Sequence, residues 1–230
     1  HLLAGGDKDR ALQLLGAIWL SWATRGQWTE GRRLFASALA LEGEVAPERL
    51  VDGYWGASIL ALWQGDVDEG EECARRLLDL SRKAGLPGAE AIGVHTLAMA
   101  AYTRGDGERA RPLYEQSILL ARDVGDGWLI SAATNNLGNV YMREGDYERA
   151  IELFEESLAI GEERGDLDRR ARELTNLGHA RHELGELDRS VVPRIVDVLS
   201  DARLLTVSES GVEVAHEALF REWPRLRVWL

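Results

Sequence analysis

Residues 127–166 read GWLISAATNNLGNVYMREGDYERAIELFEESLAIGEERGD. In the first half Ile130, Ala133, Leu137, Val140 and Tyr141 recur at spacings of three and four, which marks one apolar helix face. The second half repeats the pattern with Ala150, Ile151, Phe154, Leu158 and Ile160. Gly145-Asp146 splits the two halves and Gly165-Asp166 closes them. A glycine accepts the left-handed backbone that ends a helix, and an aspartate after it caps the next one. The stretch predicts a helical hairpin.

The hairpin recurs on either side at a fixed interval. Steps of 40 carry Gly145 to Gly185, Gly105 and Gly65, with Gly26 a further 39 back. The other hinge keeps the step through Gly85, Gly125 and Gly165. Asp146-Tyr-Glu-Arg-Ala150 stands over Asp106-Gly-Glu-Arg-Ala110, Asp66-Val-Asp-Glu-Gly70, Gln27-Trp-Thr-Glu-Gly31 and Glu186-Leu-Asp-Arg-Ser190. Such a period predicts a solenoid of stacked repeats. The first three hairpins are expected over 8–42, 48–84 and 89–124, with Pro47 and Leu86-Pro87-Gly88 introducing the second and third. A fifth first helix, 167–184, is complete, but the partner that begins at Glu186 is soon interrupted by Pro193.

These registers resemble the tetratricopeptide repeat. Its small residue late in the first helix matches Gly138, Gly178, Ala98 and Ser58. The small residue that opens the second helix matches Ala150, Ala110, Gly70, Gly31 and Ser190, and the following aromatic matches Phe154, Tyr114 and Phe35. The period of 40 exceeds the usual repeat of about 34, so each helix is expected to run about a turn long. The first repeat, DRALQLLGAIWLSWATRGQWTEGRRLFASAL, is similar to the opening of the helical domain in bacterial predicted ATPases and STAND-type regulators (signal-transduction ATPases with numerous domains). The resemblance covers about residues 8–190 and implies an all-α, right-handed superhelix of helical hairpins.

It also implies a concave ligand face lined by the first helix of each pair. The matching positions are Trp55, Ile59 and Trp63; His95, Met99 and Tyr102; Asn135, Asn139 and Arg143; and His179 and His182. Asparagines and an arginine there suit a peptide backbone or a carboxylate. A plainer role also fits, with Trp55 and Trp63 as packing residues and Asn135 and Asn136 as polar surface.

From about residue 191 the text changes to VVPRIVDVLSDARLLTVSESGVEVAHEALFREWPRLRVWL. Helical spacing through Ile195, Val198 and Leu199 gives way to Leu204-Leu-Thr-Val207, a Ser-Glu-Ser-Gly turn, Val212-Glu-Val-Ala215 and a helical segment from His216. Helix, two strands, helix is the order of a winged-helix core. The tail resembles the winged-helix segment that follows the ATPase core in STAND proteins. There an Ala/Met-His-Asp/Glu triplet bears the histidine that senses the nucleotide phosphate, and Ala215, His216 and Glu217 match it. The resemblance implies nucleotide sensing by His216 only beside an ATPase core. The expected division is a repeat domain over 1–190 and a partial winged-helix-like segment over 191–230, with a short β-hairpin.

Composition narrows the function. A net charge of −12 argues against a general binder of nucleic acid or anionic membrane, because phosphate contacts need a basic footprint. The single cysteine, Cys73, excludes an internal disulfide and falls at a core register. No apolar run reaches the length of a membrane span and no signal peptide opens the chain, so a cytoplasmic location is expected. The chain opens at His1 in a pattern that turns helical almost at once, and it reads as a piece of a longer protein.

Catalytic signatures were sought as well. The chain carries no Gly-x-x-x-x-Gly-Lys-Ser/Thr phosphate loop, and Gly105-Asp-Gly107 reads as a helix hinge. His179 and His182 could share a face with Glu183, but no fourth ligand is indicated and no metal or cofactor is expected. Glu155, Glu156, Glu162 and Glu163 read as a solvated helix face. The expected function is a non-enzymatic interaction module, the sensor or docking region of a STAND-type signalling or transcription-regulatory protein. Its expected partners are a protein or peptide in the groove and an ATPase domain of the parent protein. The alternatives are a regulatory piece of an ATP/ADP switch whose ATPase core is absent from this chain, or DNA binding through the winged helix. The second is weakened because Arg194, Arg203, Arg221, Arg225 and Arg227 are matched by nearby acids.

Overall fold

Contacts only a few residues long start and stop the helices. The computed structural model describes residues 7–24, 26–164, 167–185, 205–208 and 211–214. Among them the order is α1 (Lys8–Thr24), α2 (Trp28–Leu39), α3 (Pro47–Trp63), α4 (Val67–Ala84), α5 (Pro87–Arg104), α6 (Gly107–Val124), α7 (Gly127–Glu144), α8 (Tyr147–Arg164), α9 (Leu167–Glu183), β1 (Leu205–Ser208) and β2 (Gly211–Val214). The carboxylates of Asp66, Asp106 and Asp146 accept from the amides of Glu69 (3.2 Å), Arg109 (3.0 Å) and Arg149 (3.1 Å). Each cap satisfies an amide that the helix start leaves open, worth about 1 kcal/mol.

The helix ends are equally local. Gly145 sits at φ +82°, where a Cβ would be strained, and the amide of Asp146 returns to the carbonyl of Tyr141 at 3.0 Å. Pro47 and Pro87 open α3 and α5, where the missing amide costs nothing. The third hairpin therefore starts two residues earlier than the spacing predicts. In contrast, α2 stops at Leu39 rather than running to residue 42.

The chain divides into two compact units, His1–Val140 and Tyr141–Leu230. In the first, α1–α2, α3–α4 and α5–α6 form hairpins, and each later hairpin stacks through α2 on α3 and α4 on α5. The tetratricopeptide-like positions lie in the core: Ser58 and Ala98, Gly70 and Ala110, and the rings of Phe35 and Tyr114 are all buried. Small residues set the approach distance. A Cβ on Gly56 would stand 2.5 Å from Phe35 Cζ, so the missing side chain makes room for the tip of this ring against α3. The Ser58 hydroxyl donates to the Gly70 carbonyl at 2.6 Å and ties α3 to α4.

In the second unit α8 packs on α9. Ala150, Phe154, Leu158, Leu174 and Leu177 are buried. The Ser157 hydroxyl donates to the carboxylate of Glu173 inside this unit, and Arg181 bridges to Glu155 at 2.6 Å on its surface. Strands β1 and β2 pair antiparallel, Leu205 opposite Val214 and Val207 opposite Val212. Each strand is displaced by one residue from the LLTV and VEVA segments. The helices expected around them, the partner helix from Glu186 and the boundary near residue 191 lie outside the described residues. Among the described residues no helix is long and apolar enough to cross a membrane.

Candidate functional site

In the first unit the first helices α3, α5 and α7 carry a strip that packing leaves partly uncovered. On α5 it passes through Ile92, Met99 and Tyr102, and on α7 through Trp128, Ala132, Asn136 and Asn139; in the second unit, taken by itself, α9 leaves Arg172, Asn176 and His179 partly or fully exposed. On α3 the same register holds Asp52 and Trp55. Residues 52, 92, 132 and 172 are equivalent, as are 99, 139 and 179. The strip is thus a property of the repeat, with aromatic, apolar, amide and acidic members.

The sequence-predicted positions do not all lie on it. Trp55, Met99, Tyr102, Asn139 and His179 keep partial exposure, and Trp63, Arg143 and His182 are exposed. His95 and Asn135 are buried, each only 5% accessible, and Ile59 is buried as well. All three positions are expected on the ligand face from the register, and in the structure they lie in the core. Position 95 lies between 99 and 102 in angle around the helix, so its burial comes from the neighbouring helix α6 and not from the turn of α5. There its ring packs edge-on against Tyr114 of α6, with centroids 5.5 Å apart at 62°. The Asn136 amide nitrogen stands 3.5 Å from His95 Nε2, and Asn135 accepts from the Asn139 amide at 3.4 Å. His95 and Asn135 therefore act as polar members of the core that hold the strip residues next to them. Arg143, His179 and His182 belong to the second unit and the other candidates to the first. His216 lies outside the described residues.

Two features were not read from the sequence. The first is a row of rings: Trp55 meets Trp19 of α1 at 5.3 Å and 67°, and Trp128 of α7 at 6.2 Å and 79°. Beside it stands Asp52, whose carboxyl is lifted above the usual range by burial, with Arg49 opposing the lift and Glu48 adding to it. The second feature is Glu71, buried between three arginines. Burial works to raise its carboxyl, but hydrogen bonds from Arg109 and Arg104 and the charge of Arg75 hold it below the ordinary value. An alternation of acid and base at hairpin seams was the available signal for Glu71. The tryptophans lie too far apart in the chain for any periodic pattern to pair them.

The side chains with reactive potential have structural partners. The Cys73 thiol is pushed up to about 11, by burial first and by the charge of Glu69 second, which leaves it protonated and inert near neutrality. His179 Nε2 lies 3.3 Å from Glu183 Oε1, one turn along the same helix. Among the described residues no group of three histidine, cysteine or carboxylate side chains is placed to hold a metal ion.

Known proteins show similar patterns. Residues 95–124 match the tetratricopeptide-repeat family, and residues 127–230 match the family described as novel STAND NTPase 1. The second match starts at the first residue of α7, well before the change of character near residue 191. The chain thus combines tetratricopeptide-type repeats with a STAND-like segment. No curated protein matches it.

Among solved structures, BtubC (BKLC) from P. vanneervenii is 21% identical with a TM-score of 0.67, over 87% of this chain and 91% of that one. A Rap protein in complex with competence and sporulation factor is 17% identical with a TM-score of 0.75, over 84% of this chain and 55% of that one. A STAND protein with a tetratricopeptide-repeat sensor from Pyrococcus horikoshii is 12% identical with a TM-score of 0.61, over 85% of this chain and 30% of that one. At these identities the likeness is one of fold.

Proposed function

We propose that the chain is a protein-interaction module that holds a peptide or partner protein along the strip of its first helices. In this reading it serves as the sensor or docking region of a STAND-type signalling protein, and it binds rather than catalyses. One observation carries it: residues at one helical register of α3, α5 and α7 stay partly exposed while their neighbours on the same helices are buried. Such a strip offers apolar contact from Trp55 and Met99 and amide hydrogen bonds from Asn139. The guanidinium of Arg143 adds a charge-assisted donor. The similar Rap structure holds competence and sporulation factor, and a bound factor of that kind supports a peptide occupant here. A peptide-library pull-down with the wild type and with Asn139→Ala/Arg143→Ala tests the strip. The wild type should bind less tightly as salt rises, and the double variant should lose most of the captured peptides at low salt, whereas identical ligand sets would reject the assignment.

The STAND NTPase match over 127–230 favours a second reading of the C-terminal segment. There residues 191–230 form a winged-helix-like unit that docks on an ATPase domain of the parent protein, and His216 reports the bound nucleotide. Without that domain His216 should bind no nucleotide. Calorimetric titration of this chain with ADP and ATP should show no heat of binding. A specific site abolished by His216→Ala would mean that the segment senses nucleotide unaided.

A further inference from the structure

We propose that Trp19, Trp55 and Trp128, together with Asp52, form a cage for the cationic end of an arginine or lysine side chain on the partner. The proposal rests on the reading of the strip as a site for a polypeptide, and it specifies the chemistry of one contact within it.

Three helices supply the cage. Trp55 of α3 lies at its middle and meets Trp19 of α1 at 67° and Trp128 of α7 at 79°. Rings that meet near a right angle enclose corners instead of forming a stack. Trp128 keeps 38% of its surface exposed, and Trp19 and Trp55 are half-buried. An indole face is the strongest of the aromatic faces for a cation within about 6 Å of its centroid.

The carboxylate comes from the same surface. Asp52 lies one helical turn before Trp55, and Gly16 lies one turn before Trp19. The absence of a side chain at Gly16 lets Asp52 lean on α1: a Cβ built there would stand 3.6 Å from Asp52 Cβ and 3.9 Å from Oδ2. Among the described residues no side chain makes a hydrogen bond or ion pair to this carboxylate. Arg49, one turn earlier, acts on it only at longer range. A half-buried acid flanked by rings favours a cationic occupant over the alternatives. A neutral apolar side chain would bury the acid further without a partner, and an anion would be repelled. A guanidinium satisfies both elements at once, since its plane lies on an indole and its edge donates to the carboxylate. The net charge of −12 draws a basic partner toward this surface.

The test follows the indole N–H signals of the whole chain, labelled with 15N-tryptophan, during titration with acetyl-Leu-Arg-Leu-amide. The control probe replaces arginine by citrulline, which keeps the shape and removes the charge. The arginine peptide should shift the signals of Trp19, Trp55 and Trp128 saturably and bind about tenfold more tightly than its citrulline counterpart. Asp52→Asn, close in shape to the wild type, should erase that preference, and Trp55→Phe should weaken the arginine peptide severalfold. Equal affinity for the two peptides, no saturable shift, or a preference that survives Asp52→Asn would overturn the cage. The wild-type comparison needs no variant to fold. If the library pull-down fails while the arginine preference holds, the groove reading falls and the cage stands. If the pull-down succeeds with ligand sets unchanged in Asp52→Asn, the cage falls alone.

Discussion

At the seam between the first and second hairpins Arg32 reaches from α2 to Gln64 (2.6 Å), Asp66 (2.5 Å) and Glu69. At the next seam the equivalent residue is Glu71, six positions past its hinge glycine as Arg32 is past Gly26. Glu71 accepts from Arg104 (3.0 Å) and Arg109 (2.6 Å), which stand where Gln64 and Glu69 stand one repeat earlier. The contact keeps its place and reverses its sign. The apolar layer beneath changes with it: Phe35 fills the first seam, and Ala74 takes the ring's position in the second. One seam is thus held mainly by a buried ring with charges at its rim, the other by a carboxylate sunk among arginines. The repeat period sets where hairpins touch. The chemistry at that point decides which neighbour each hairpin accepts.

The largest effect expected from this contrast is at the ring. Phe35→Ala should cost about 3–5 kcal/mol in chemical denaturation, because the ring is fully buried against Gly56 and the cavity cannot collapse. Phe154→Ala, at the same register in the second unit, should cost as much. Glu155→Ala beside it should change stability by at most about 0.5 kcal/mol, since its bridge to Arg181 leaves it half-exposed. Equal losses at Phe154 and Glu155 would show that the register is misassigned.

The charged groups come next. Glu71→Gln should cost about 1–3 kcal/mol, because it leaves donors from three arginines without their carboxylate in a site where the side chain is only 5% exposed. Arg32→Gln should cost about 1 kcal/mol or less, since both its acids are well exposed. A like cost for the two would erase the distinction between the seams. The acid limb of a pH–stability curve gives a further handle. Glu71 is held below its ordinary value in the fold, so its contribution is present above the unfolded glutamate pKa and is lost as pH falls through the folded value. The wild type should lose more stability than Glu71→Gln over that window, and parallel curves would remove Glu71 from the account.

The smallest effect concerns Cys73, which packs from α4 against the cluster of the first seam. With its thiol pushed up to about 11 by burial, it should alkylate slowly near neutral pH in the folded chain. Phe35→Ala should speed the reaction severalfold, and Glu71→Gln should change it little. The opposite order would place Cys73 with the second seam.

Much of this fold was legible from local patterns, and the site only in part. Gly145 and Asp146 announced a hinge and a cap because both act on backbone within a few residues. Ser58, Ala98 and Gly70 were readable as close-packing positions because only small residues suit a helix crossing. Of the positions expected on the ligand face, Trp55, Met99 and Asn139 keep partial exposure. Depth was not legible, since His95 and Asn135 share that face yet are buried, His95 against Tyr114 of a neighbouring helix.

The sequence by itself determined the helical hairpins, their hinges and the residues that fill each core, since these depend on contacts a few residues long repeated at a step of 40. The tertiary structure decided the rest. It selected the cross-seam partners of Arg32 and Glu71, which lie 32 to 38 residues away, and it brought Trp19, Trp55 and Trp128 into one row beside Asp52. The physical reason is the geometry of stacking. A period tells that one hairpin follows another, but the rotation and offset between them are set by interlocking side chains such as Phe35 on Gly56, and that rotation chooses which distant side chains meet.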